Sequence, residues 1–158
     1  MIRRPKMTRS SLLIAMVLFI GMPVFAMIRT LPFPDLVKTA EAILIARIDS
    51  QEVLTEPGKD IPNTKTSLII EKVLKGSLQA NDPLQFTTPG SKEHPVRDRP
   101  VFQDKGERVL LYLIQNKEGV WCLNNGIQGL WPLESGTDKT LGMGFNYSIK
   151  KIEEELAK

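Results

Sequence analysis

The sequence predicts a mainly β fold: a small barrel or sandwich of five to six short strands, with a short helix before them and an amphipathic helix after. Three observations carry this expectation. Apolar, β-branched runs recur at short length, as in Ala42–Ile48, Thr64–Leu74 and Arg108–Ile114, and such runs suit strands better than core helices. Turn chemistry separates them, at Pro57-Gly58, Asn81-Asp82-Pro83, Pro89-Gly90 and Asn124-Asn125-Gly126. A sustained helical period occurs only near the C-terminus, where Ile149, Ile152 and Leu156 share one face. Short strands with frequent turns are the material of small all-β domains.

The chain of 158 residues opens on a segment of a different kind. Arg3, Arg4, Lys6 and Arg9 precede an uninterrupted apolar run from Leu12 to Ile20, followed by Gly21-Met22-Pro23-Val24-Phe25-Ala26. A basic flank, an apolar stretch and small residues at its end form a secretory signal. Val24 and Ala26 take the −3 and −1 positions of a cleavage site, and the mature chain would begin at Met27. The alternative is an uncleaved anchor through residues 12–28, at the lower edge of a bilayer span and weakened by Gly21 and Pro23. Cleavage is the expectation. In both cases the basic flank stays inside and the bulk of the chain lies outside the cytoplasm, in the periplasm, in the extracellular space or on the outer face of the cytoplasmic membrane. The single cysteine, Cys122, is far from the apolar run, which excludes lipidation there, and Pro5-Lys6-Met7 after Arg3-Arg4 does not continue a twin-arginine signal.

Setting this segment aside changes the charge. The whole chain has 21 basic and 18 acidic residues, but residues 1–26 hold four of the basic ones and no acid, so the remainder is close to neutral. A basic surface for nucleic acid is not expected. Residues 27–158 suffice for one compact domain. A lone cysteine forms no internal disulfide, and Cys122, within Val120-Trp121-Cys122-Leu123, reads as a small buried hydrophobe.

The elements follow in order. Residues 27–35, with Pro32 and Pro34, read as an extended leader. Asp35 then caps a short helix, Leu36 to Glu41. Ala42–Ile48 is a strand with both faces covered, and Asp49–Asn63, with Pro57-Gly58 and Pro62, is a turn or hairpin loop. Thr64–Leu74 places Leu68, Ile70 and Leu74 on one face, with Ile69 and Val73 on the other. Leu84–Thr87 is a short strand, and Ser91–Glu107 is a long polar connection of a kind that is often functional or mobile. Arg108–Ile114 alternates most regularly, with Val109, Leu111 and Leu113 opposed to Leu110, Tyr112 and Ile114. Asn116-Lys117-Glu118-Gly119 turns the chain so that Val120–Leu123 pairs back. Ile127–Leu133 is a further strand broken by Pro132, and the last helix begins near Asn146. Residues 36–158 thus form one domain.

Several of these segments resemble a poorly characterised group of exported bacterial domains. They are Leu36-Val37-Lys38 leading into Ala42–Ile48, Glu71-Lys72-Val73-Leu74-Lys75-Gly76, Phe102 with Gly106-Glu107-Arg108-Val109-Leu110-Leu111-Tyr112-Leu113, and Gln128-Gly129. The resemblance covers roughly residues 36–133. It implies an OB-like β-barrel similar to tissue inhibitors of metalloproteinases and netrin modules. Inhibitors of that fold chelate zinc through an N-terminal cysteine, and Met27-Ile28-Arg29 provides none. No functional residue is carried over.

The residues that carry chemistry are few. One histidine, His94, and one cysteine do not make a structural zinc site, no Asp-rich loop has cation-ligand spacing, and no cofactor is expected. Ser91, His94 and Asp98 are close along the chain, but a triad is an arrangement in space. Gly142-Met143-Gly144 lacks the strand-then-helix context of a phosphate loop. Trp121 and Trp131 suit core or barrel-end packing better than ligand stacking. The Ser91–Glu107 connection remains, and within it His94, Arg97, Arg99 and Phe102 are the candidate binding residues.

The expectation is an exported, non-enzymatic β domain that binds an unidentified envelope or extracellular protein or ligand. A hydrolase using His94 with loop carboxylates and a structural subunit tethered through residues 12–28 are the alternatives.

Overall fold

The structure is a computed structural model that describes residues 30–142 and 147–158. The signal-like segment and the 12–28 tether lie outside the described residues, as does Asn146. Among the described residues no helix is long and apolar enough to cross a membrane.

Helix α1 (Phe33–Thr39) begins three residues before the expected start at Leu36. Pro34 lies in its first turn, where a missing N–H costs nothing. Asp35 therefore sits inside the first turn, favourably placed at the positive end of the helix, rather than capping it. The extended leader ends at Pro32.

Six antiparallel strands form one sheet: β1 (Ala42–Leu54), β2 (Asn63–Lys75), β3 (Pro83–Pro89), β4 (Arg108–Gln115), β5 (Trp121–Leu123) and β6 (Leu130–Pro132). Their order is β3-β2-β1-β4-β5, with β6 also on β4. β3 pairs with neither β5 nor β6 among the described residues, so the sheet is open. The order of the first four strands is that of a Greek key, three hairpin-connected strands and a fourth that returns beside the first. The long connection is the residue 90–107 segment, which carries the chain from edge strand β3 back to β1.

Two sequence expectations fail at bulges. β1 does not end at Ile48 but continues to Leu54, because Asp49 is an extra residue between the pairs Ile48–Leu68 and Ser50–Ser67. The segment expected to be loop from Asp49 is a polar strand extension. On β2, Glu71 and Leu74 are likewise extra residues opposite β1. A single extra residue reverses which face the next side chain takes. Val73 therefore joins Leu68 and Ile70, and Leu74 packs on the opposite side with the helices.

The sheet has a core on each face. Leu44, Ala46 and Ile48 of β1 meet Leu68, Ile70, Phe86, Val109 and Leu111 on one face. On the other, Ile43, Ile45, Leu110 and Tyr112 are covered by α1 and by α2 (Ile149–Leu156). Ser148 caps α2 by accepting a hydrogen bond from Lys151 N, and Ile149 and Ile152 are buried, as their spacing predicts.

The expected strand Ile127–Leu133 is mostly something else. Gly126–Gly129 is a 3-10 turn, entered through Asn125 in the left-handed region, and only Leu130–Pro132 is strand. The turn fastens the N-terminal leader to the domain. Gln128, buried, donates from Nε2 to Leu31 O at 2.6 Å, and its Oε1 accepts from Leu31 N at 2.9 Å. Trp131, also buried, donates from its indole nitrogen to Gln128 O at 2.7 Å. Cys122, by contrast, is half-buried rather than enclosed, because all of β5 lies at the margin of the sheet.

One core group is poorly matched to its surroundings. The Tyr112 hydroxyl is buried with no hydrogen-bond partner among the described residues, and burial pushes its pKa well above the usual phenol range. A phenol that ionises more easily when unfolded favours unfolding as pH rises past its unfolded value, about 10. Stability is expected to fall above that pH. Tyr112→Phe removes the orphaned hydroxyl and this part of the alkaline loss. At neutral pH the variant should be as stable as the parent or more so, by up to about 1 kcal/mol, in denaturant titrations at pH 7 and pH 10.5.

Candidate functional site

The polar extension of the sheet determines the site. Past the Asp49 bulge, Gln51 stands opposite Thr66 and Val53 opposite Thr64, while Thr66 and Thr64 face Phe86 and Thr88 across β3. These residues share the face of the Phe86 core. The first core is therefore continued outward by a row of short polar and aliphatic side chains on three strands.

The crossover lies over this row. Gly90 N donates to Pro62 O at 2.7 Å, and Thr64 Oγ1 donates to Gly90 O at 2.7 Å, which fixes where the segment leaves β3. Gly90 has a positive φ, and a side chain there would press on His94 O and Val96, so the tight departure needs glycine. Ser91 closes a small turn with His94: Ser91 N donates to His94 O at 3.0 Å and His94 N to Ser91 Oγ at 3.1 Å. At the far end Gly106 N donates to Ile48 O and Ile48 N to Glu107 O. Between these points Phe102 turns inward. It is 2% exposed and stacks on Phe86 with ring centroids 5.6 Å apart.

The result is a pocket of about 320 Å³. Phe102, Val101, Pro100, Pro89 and Val53 give it apolar walls; Gln51, Thr64, Thr88 and Ser91 supply amide and hydroxyl groups; Lys92 and Glu93 stand on the crossover side. Val53 and Val101 are 55% and 42% exposed, and both border this one concavity. An apolar pocket with a few polar groups is the usual form of a binding site.

Of the four residues singled out from the sequence, the structure brings only Phe102 to this pocket, as buried wall. His94, Arg97 and Arg99 are exposed on the outer part of the crossover and do not line it. Arg97 lies 3.6 Å from Asp98, and Lys92 pairs with Asp104. The two loop aspartates are thus engaged with basic neighbours rather than with His94. Among the described residues no group of three or more His, Cys, Asp or Glu side chains is placed to hold a metal ion.

Gln51, Val53, Thr64 and Thr88 escaped sequence reasoning. Gln51-Glu52-Val53 falls in the segment whose polarity beside Pro57-Gly58 reads as loop, while Thr64 lies on a predicted strand with nothing in its pattern to mark a pocket.

No protein-family model matches the chain, and no curated protein matches it.

Proposed function

We propose that this protein is an exported, non-enzymatic binding domain whose ligand or partner docks in the pocket between the β1–β3 extension and the crossover. The observation that carries the reading is the combination of exposed aliphatic groups, Val53 and Val101, with unionised hydrogen-bonding groups, Gln51, Thr64 and Thr88, in one concavity. Such a surface suits recognition. Its position adds support, since OB-like domains bind on an exposed strand face beside the hairpin loops.

The OB-like barrel itself is part of the proposal. An OB-fold is a partly open Greek-key barrel of five strands, and the strand order here is compatible with one. The first core gives a second argument. It contains no helix residue, yet Leu44, Ile48, Leu68 and Leu111 are fully buried. A flat sheet would leave that face wet. Bulges at Asp49, Glu71 and Leu74 supply the bending that lets a sheet curl over its own side chains. Export rests on the sequence of residues 1–26 alone.

The test is affinity capture from solubilised envelope of the producing cell, comparing the intact protein with a Val53→Asp, Val101→Asp variant. Both positions are exposed, so the fold should persist. The intact protein is expected to retain a component that the variant loses. Equal retention by both would contradict the site.

A further inference from the structure

The same strand extension presents a second recognition element. On β2, Ile70 turns its main chain toward β3: its N–H donates to Asp82 O and its C=O accepts from Asn81 N. The two-residue period of a strand gives Leu68, Thr66 and Thr64 the same direction. Gln51 and Val53 stand opposite Thr66 and Thr64, so their own N–H and C=O groups turn away from β2. Ile48, opposite Leu68, does the same and is met there by Glu107 O and Gly106 N. Beyond Ile48 no strand follows on this side among the described residues, because the β1–β4 pairing covers only Ala42 to Arg47.

Among the described residues the main-chain groups of Gln51 and Val53 therefore have no strand beside them, and the side chains of these two residues are walls of the pocket. In an antiparallel pair, residues directly opposite one another share a face. A strand added at this edge would place the side chain opposite Val53 over the apolar walls made by Val53, Val101 and Phe102. The other free edges are less suited to this: β3 begins and ends with proline, Pro83 and Pro89, a common guard against strand addition, and β5 and β6 are three residues each, whereas Asp49–Leu54 contains no proline.

We infer that the occupant is an extended polypeptide segment. It adds antiparallel to β1 at Gln51–Val53 and seats one aliphatic side chain in the pocket, with polar residues on either side. The inference rests on the binding role proposed for the pocket and narrows it: a peptide backbone repeats donors and acceptors at the spacing this edge requires, and a compact small molecule does not.

The experiment selects peptides from a displayed random library on the purified protein, then measures the consensus peptide by fluorescence anisotropy. The expected consensus has an aliphatic residue flanked by polar ones. A scan of single backbone N-methylations should weaken binding at least tenfold at every second residue and hardly at all between. Val53→Pro, which removes an edge donor while sparing the β2 ladder, should fold and lose at least tenfold. Failure to enrich any consensus, or indifference to N-methylation, would overturn the inference. Binding that is indifferent to N-methylation but lost in Val101→Asp would leave the pocket standing and remove the strand addition. Binding unaffected by Val101→Asp would sink both. A dimer detected by sedimentation and abolished by Val53→Pro would assign the edge to a second copy of this chain instead.

Discussion

Gly129→Ala is expected to destabilise the domain by about 3 kcal/mol or more, the upper range for forcing atoms into a filled core. A methyl group at this position would lie 2.7 to 2.8 Å from three main-chain atoms, Asn124 O, Asn124 N and Tyr112 O. None of these can swing aside as a side-chain tip could. Relief requires moving β4 or the turn that fastens the leader through Gln128. Domains of this size have only about 5–15 kcal/mol in total, so much of the stability is at stake. Gly119→Ala is the matched control. Nothing lies within 4 Å of a methyl group there, and only the positive φ is unfavourable, at a cost of about 1–2 kcal/mol. Denaturant midpoints of the two variants should differ accordingly.

Phe102→Ala should cost about 3–5 kcal/mol, the usual loss for a buried phenylalanine. Its ring fills the end of the first core against Phe86, so truncation leaves both a void and an unstacked partner. The change should also loosen the crossover and widen the pocket. His94→Ala, in the same segment but exposed, should shift stability by no more than about 0.5 kcal/mol. Similar losses from both substitutions would mean that the crossover is not anchored through Phe102.

The regular strands were legible because their residues repeat with period two. Val109, Leu111 and Leu113 fall on one face and Leu110 and Tyr112 on the other, as their alternation requires. The bulges were not. Whether Glu71, Leu74 or Asp49 is an extra residue depends on the strand opposite, which one chain segment read by itself does not contain. That is why Val73 and Leu74 exchanged faces and why β1 ran on past Ile48. The crossover was legible by its length, and Greek-key order supplies the reason for that length. Within it, chemistry drew attention to His94, Arg97 and Arg99, which face solvent, while Phe102 reaches the pocket as a hydrophobic anchor. Gln51 and Val53 were hidden because a polar strand extension and a polar loop have the same composition, whereas Thr64 lay on a predicted strand and its hydroxyl gave no sign of a pocket.

The crossover is fastened at both ends and through Phe102, so that the pocket exists before anything binds. Amide hydrogen exchange on the free protein tests this most directly. Exchange should be slow at Gly90 and Gly106, whose N–H groups bond to Pro62 O and Ile48 O, and fast only at the outer residues around Lys92, Glu93 and Arg97. Uniformly fast exchange from Gly90 through Gly106 would contradict it, because an unfastened crossover encloses no pocket.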